Sequence, residues 1–323
     1  MRLLITRLSA LGDVIHALPL AASARAAGAT VGWVVENVFL GALEGNPNCD
    51  RIFAADTRGW RRQPLSPATW RGLAALRAQL LAFRSDLTLD VQGLWKSAVV
   101  ARSAGAPVVG FSAAARREPA SAVLCGVRVT PSAEARHVVD RNLALLSAAG
   151  IRIGSRAPDA SYLLARPTPE ADAFLATLPR PFAVLHPGAG REDKTWGEDR
   201  FAALAASLRQ RLGLASVISW GPGDAHRAER LATLAPALPK APPLDLPGLA
   251  RLCAAAALFV AGDTGPLHLA DAIGTPTLAL FGPTDPERNG PYRYRRGIVA
   301  DMRRVTDEDV IRAAEAASVK GPL

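Results

Sequence analysis

Cysteine is scarce in this chain of 323 residues: Cys49, Cys125 and Cys253 stand far apart, and no two form a C-x-x-C pair. An odd, sparse set argues against a disulfide framework, and the missing C-x-x-C spacing argues against a zinc ribbon. A reducing, cytoplasmic environment is the expectation. Long apolar runs are missing too: the longest, Leu252–Gly262, falls far short of the roughly 20 residues a membrane span requires. Neither half has a G-x-G-x-x-G after its first apolar segment; Leu8–Asp13 and His186–Asp193 are the nearest approaches. The dinucleotide fingerprint is therefore absent, and hydride chemistry loses its support.

What is present is an ordinary globular composition, 49% hydrophobic and 21% charged, at a length suited to two domains. The formal net charge of +9 is unevenly spread. Residues 1–156 hold 19 Lys and Arg against 10 Asp and Glu, whereas the remainder holds 19 of each. A one-sided basic surface seeks polyanions such as nucleic acid, anionic lipid or phosphorylated glycans. No nucleic-acid-binding motif accompanies it, so no nucleic-acid partner is expected. The stretch Arg7–Ala26 has the outline of a secretory leader, with a basic lead, an apolar middle and small residues at its end. Arg7, Asp13 and His16 interrupt the apolar run, so the expected reading is strand, turn and helix, with Pro19 kinking that helix unless the helix starts later.

Short apolar segments alternate with helical ones throughout. Arg2–Thr6, Thr30–Glu36, Arg51–Ala55, Leu87–Gly93 and Pro107–Phe111 read as strands, with helices including Ala68–Phe83 and Lys96–Ala104 between them. The second half repeats the plan. Its strands are Phe182–Gly188, Ala215–Gly221, Ala257–Asp263 and Thr277–Pro283; its helices are Glu198–Leu212, Ala225–Leu234, Leu249–Ala256, Leu267–Ile273 and a last one at Asp307–Val319. Strand and helix in series predict an α/β protein with two doubly wound parallel sheets, that is, two Rossmann-like domains facing a central cleft. The expected boundaries are 1–156 for the first domain, 157–169 for a proline-bearing linker and 170–323 for the second. Ligands of such sheets bind beyond the carboxyl ends of the strands.

The polar motifs lie at those ends. Asp263-Thr264-Gly265 follows a strand and precedes Pro266, which suits a first helical turn. Free N–H groups and the helix dipole there favour phosphate, with His268 one turn in; an ordinary capped helix is the alternative. Gly188 and its glycine-rich loop, followed by Lys194, suit a diphosphate or are simply a flexible loop with a solvated lysine. Asp224 either accepts from ribose hydroxyls or caps a helix. Asp13 either takes a proton from an attacking hydroxyl or caps the helix it opens. Arg58, Arg61, Arg62, Arg117 and His137 supply cations suited to carboxylate and phosphate, or a solvated surface.

Taken in order, Ser9–Pro19, Trp33–Glu36, Asp90–Ala98, Arg117–Ala122, Asp193–Trp196, Trp220–Asp224, Asp263–Leu269 and Gly282–Pro286 resemble the ADP-heptose:LPS heptosyltransferases, glycosyltransferase family 9. The resemblance spans nearly the whole chain. It implies a GT-B fold, with the ADP-sugar donor on the second domain and a Kdo-lipid A acceptor on the first. It implies transfer of heptose from ADP-L-glycero-β-D-manno-heptose to Kdo, with inversion, no metal and no cofactor. Asp13 falls on the family's base, and Lys194 on a phosphate-binding lysine. Gly188, Asp224, Asp263, Thr264, Gly265 and His268 fall on the donor site. Arg58, Arg61, Arg62, Lys96, Arg117 and His137 fall on acceptor positions. The implied protein is a monomer on the anionic inner face of the inner membrane. Two departures stand out. Pro187-Gly188-Ala189-Gly190 replaces a threonine-rich loop, leaving backbone amides in place of hydroxyls, and Pro266-Leu267 replaces the usual Leu-Ser.

Overall fold

The computed structural model describes residues 1–299, 301, 302, 304 and 306–318; Val319, the expected end of the last helix, lies outside them. The chain divides into two compact units, Met1–Pro158 and Asp159–Leu323.

Among the described residues of the first unit, the strands are β1 (Arg2–Thr6), β2 (Thr30–Glu36), β3 (Arg51–Ala55), β4 (Leu87–Asp90), β5 (Val108–Phe111) and β6 (Val127–Val129). They form one sheet in the order β3-β2-β1-β4-β5-β6, every pair parallel. The helices are α1 (Leu11–His16), α2 (Leu18–Ala26), α3 (Thr57–Arg62), α4 (Pro67–Phe83), α5 (Trp95–Ser103) and α6 (Val138–Ala148). β1 is central, and Leu3, Leu4 and Ile5 are fully buried within it. The helix expected to kink at Pro19 is divided instead. Ala17 ends α1 and precedes α2, which places Pro19 in the first turn of α2, where its missing N–H costs no hydrogen bond.

In the second unit the strands are β7 (Phe182–His186), β8 (Ala215–Ile218), β9 (Leu258–Gly262), β10 (Thr277–Leu280) and β11 (Ile298–Val299). Their order is β11-β10-β9-β7-β8, again parallel throughout. The helices are α7 (Pro169–Ala176), α8 (Glu198–Leu212), α9 (Ala225–Leu234), α10 (Leu246–Ala255), α11 (Gly265–Ile273), α12 (Pro286–Asn289) and α13 (Asp307–Ser318). α10 begins three residues before the expected Leu249 because the Asp245 side chain accepts from Gly248 N at 2.8 Å and so caps it. The stretch expected to be a linker is packed from Asp159 onward. Its 3-10 turn, Ser161–Ala165, buries Leu163, and Ala160 N donates to Ala272 O at 3.2 Å.

Both sheets contain the place where neighbouring strands lead their connections in opposite directions. It lies between β1 and β4 in the first unit and between β7 and β9 in the second. Such a point leaves a crevice beyond the strand ends. The core predicts its own test. Leu4→Ala in the middle of β1 is expected to destabilise the protein by about 2–5 kcal/mol, measured by urea unfolding.

Candidate functional site

In the second unit the two strands at the switch point each deliver part of one cluster. The loop after β7 carries a 3-10 turn, Glu192–Lys194, and Lys194 Nζ donates to Asp263 Oδ2 at 2.7 Å. Asp263 follows β9 directly, and its other oxygen lies 3.2 Å from His268 Nε2, one turn into α11. Burial by itself would raise the Asp263 carboxyl. The hydrogen bond and charge of His268, followed by those of Lys194, overcome that and hold it well below the usual carboxylate range. A Cβ at Gly262 would sit 2.7 Å from Lys194 O, so this glycine lets the Lys194 backbone cross the end of β9. Thr264 is the N-cap of α11, its hydroxyl accepting from Leu267 N at 3.4 Å, and Gly265 and Pro266 form the first turn. The helix is therefore capped, and its start adjoins a lysine and a histidine.

Asp224 is settled differently. It stands at the N-cap position of α9, but its side chain makes no capping bond. It reaches the β7 loop instead, accepting from the Ala189 backbone, and a Cβ at Gly188 would fall inside its carboxyl group. Only glycine fits at 188 while Asp224 holds this position. Burial raises the Asp224 carboxyl, against the charges of Arg227 and His226. His186, the last residue of β7, places Nε2 3.8 Å from Asp224 Oδ2 and Nδ1 3.1 Å from Ser219 Oγ. Burial pushes its pKa down to about 4, so at neutral pH the imidazole in this contact is neutral.

In the first unit the loop after β1 leads into α1. Asp13, the third residue of that helix, accepts from Ala10 N at 3.2 Å through Oδ2 and pairs with Arg7 at 2.6 Å through Oδ1. The cap and the exposed carboxylate coexist, since the Asp13 side chain remains 40% exposed. Arg7 is buried and tied to Val91 O at 2.8 Å, so its guanidinium is a fixed partner. Ser9 joins this loop to the end of β4: its hydroxyl accepts from Gln92 Nε2 at 3.2 Å and from Lys96 Nζ at 3.4 Å. Lys96 also lies 3.9 Å from Glu36, the buried last residue of β2, which accepts from Thr57 and from Arg58 N at 2.8 Å. Burial lowers the Lys96 pKa; Glu36 opposes this, and Arg58 and Arg61 add to it.

Lys96, Arg58 and Arg61 are thus within one another's field, and Arg62 follows on the exposed end of α3. Arg117 is exposed beside Glu118, whose carboxylate accepts from Trp95 N at the start of α5. His137 does not join them on the surface. It is 2% exposed, its Nδ1 accepts from Val139 N at 3.2 Å to cap α6, and its ring meets His16 edge-on. The capping bond is what turns this side chain inward. Arg7, Ser9, Glu36, Gln92 and His186 belong to these clusters without having been singled out as site residues. Their shared signal is a polar residue at, or just beyond, the carboxyl end of an apolar strand.

The chain belongs to glycosyltransferase family 9, the heptosyltransferases: the family model, Glycosyltransferase family 9 (heptosyltransferase), matches residues 73–313. The sequence is 36% identical over 306 residues to lipopolysaccharide heptosyltransferase 1 of Pseudomonas aeruginosa, covering 90% of this chain and 81% of that protein. Among solved structures, the E. coli heptosyltransferase WaaC with ADP is similar at a TM-score of 0.80 and 29% identity, covering 98% of this chain and 100% of that one. The structure of WaaC with ADP-2-deoxy-2-fluoro heptose gives a TM-score of 0.78 and 28% identity, covering 98% and 99%.

The Lys194–Asp263 pair sets a stability test. A carboxyl held low in the folded protein contributes stability above its unfolded value near 3.8, and that contribution is lost as pH falls through the folded value. Lys194→Met is expected to cost about 2 kcal/mol at pH 7. In chemical denaturation at a series of pH values, the gap from the parent protein should begin to narrow only as pH falls below the unfolded value near 3.8. A gap independent of pH would contradict this assignment.

Proposed function

We propose that this protein transfers heptose from an ADP-heptose donor to the Kdo of a Kdo-lipid A acceptor, with inversion and without a metal. What supports the reading most is the Lys194–Asp263–His268 cluster at the start of α11, set at the switch point of one sheet. WaaC, to which the chain is similar, has been solved with ADP and with a fluorinated ADP-heptose. The donor diphosphate would lie against the free N–H groups of α11 and draw the Lys194 ammonium toward it. Asp224 and the Gly188 backbone would take the ribose side of the nucleotide. Lys194 and the start of α11 would supply positive charge at the departing diphosphate, which is the task a divalent ion performs elsewhere.

Asp13 acts as the base. It accepts the proton of the acceptor hydroxyl as that oxygen bonds to the anomeric carbon, while the bond from that carbon to the diphosphate breaks and ADP leaves. Arg7 and the Ala10 amide fix the carboxylate's direction during this step. Arg58, Arg61, Arg62, Lys96 and Arg117 hold the carboxylate and phosphates of the acceptor. A single chain supplies groups for both substrates, and its basic first unit works at the anionic inner face of the inner membrane. Among the described residues no helix is long and apolar enough to cross a bilayer.

Asp13→Asn keeps an oxygen for the Ala10 amide but cannot accept the proton. Its kcat is expected to fall about 10²–10⁴-fold, with ADP affinity by calorimetry unchanged. Normal turnover in this variant, with donor still bound, would remove Asp13 from the role of base.

A further inference from the structure

The segment Thr57–Phe83, which forms α3, a four-residue turn and α4, carries Arg58, Arg61, Arg62, Arg71 and Arg77 and not one Asp or Glu. Its apolar side chains are divided between two faces. Leu76 and Leu80 of α4 are buried in the core of the first unit. On the other side Trp70, Ala74, Arg77 and Leu81, spaced as i, i+4, i+7 and i+11, form one exposed row. Trp70 is 62% exposed, and Leu65, in the turn, is 88% exposed. Trp60 anchors the base of the segment, its indole packed where a Cβ on Gly72 would be 2.8 Å away. A rigid platform therefore presents an apolar ridge between arginines.

We infer that this exposed face is an anchor on anionic lipid: Leu65 and Trp70 enter the headgroup boundary while Arg71 and Arg77 of α4 pair with lipid phosphates. The charge decides the occupant. An acid-free segment of five arginines favours a surface dense in negative charge, and an exposed tryptophan with a largely exposed leucine five residues before it favours the boundary between headgroups and acyl chains. A helix lying in that plane with arginine and tryptophan on its outer side meets both demands. The inference rests on the membrane-facing part of the proposed function and deepens it by naming the surface.

The test uses the full chain and vesicles of phosphatidylethanolamine with phosphatidylglycerol, compared with pure phosphatidylcholine. The parent protein is expected to co-sediment with the anionic vesicles, and to do so less as salt rises. The double variant Leu65→Ser/Trp70→Ser should bind them at least about tenfold more weakly. Both changes are on exposed positions, and circular dichroism checks that the variant is folded. Transfer to a deacylated, water-soluble acceptor should be unchanged in the variant, and transfer to vesicle-embedded acceptor should fall with binding. Vesicle binding equal to the parent's would overturn the anchor, as would an equal loss on the soluble acceptor, which would make the face an acceptor subsite. Loss of a dimer in the variant, with vesicle binding intact, would assign the face to a second copy instead. A parent protein that transfers to the soluble acceptor but ignores anionic vesicles would overturn the anchor and leave the transferase reading standing. Binding without any transfer would do the reverse.

Discussion

A strand buried on both faces of a parallel sheet has room for few polar side chains along its length, so the polar residues gather where the strand stops. That constraint organises both units of this protein. β1 is Leu-Leu-Ile between its ends, and Arg7 follows it; β2 runs through Val34 and Val35 to Glu36; β7 closes on His186; β9 closes on Gly262 and delivers Asp263. Because every strand in a sheet points the same way, these residues collect on one edge. The reversal of strand order then opens a crevice where the most central of them stand. Chemistry in this fold is positioned by burial before any ligand contributes.

The second consequence is that the charges on those edges come already paired. Asp263 holds Lys194 and His268, and Arg7 holds Asp13. A partly buried lysine without a counter-ion would be costly, and so would an unpartnered arginine beneath the loop that leads to Asp13. The pairs also aim the groups. The diphosphate proposed to bind at α11 would compete with Asp263 for the Lys194 ammonium, with the helix N-terminus on its side. The Arg7 pair and the Ala10 amide each engage one oxygen of Asp13, which narrows the directions from which a hydroxyl proton can approach it.

The legible part of the sequence follows from the same physics. β1 and β2 have the bounds that their apolar runs predict, because a buried parallel strand shows as an uninterrupted apolar stretch, and β3, a half-exposed edge strand, has its predicted bounds too. β6 and β11 escaped notice: one has three residues with two of them exposed, and the other has only two residues, so neither makes such a stretch. The turn into α11 was legible because glycine, proline and threonine mark a strand-to-helix turn. The Asp224 reach to Gly188 was not, because a residue before a helix looks like a cap until a tertiary contact claims it. His137 shows the opposite case, a histidine beside arginines that the helix it caps draws inward. Glu36 and Gln92 sat in stretches that carry the family resemblance, yet their roles depend on Thr57, Ser9 and Lys96, which are distant in sequence.

The central claim is the proposed transfer of heptose to Kdo by a metal-independent displacement at the anomeric carbon. The most direct measurement is incubation of Kdo-lipid A with ADP-heptose and this protein, followed by mass spectrometry and by NMR of the new linkage. The account predicts a product heavier by one heptose, with anomeric configuration opposite to that of the donor and formed in the presence of a chelator. An unchanged acceptor, or a heptose attached with the donor's own configuration, would contradict it.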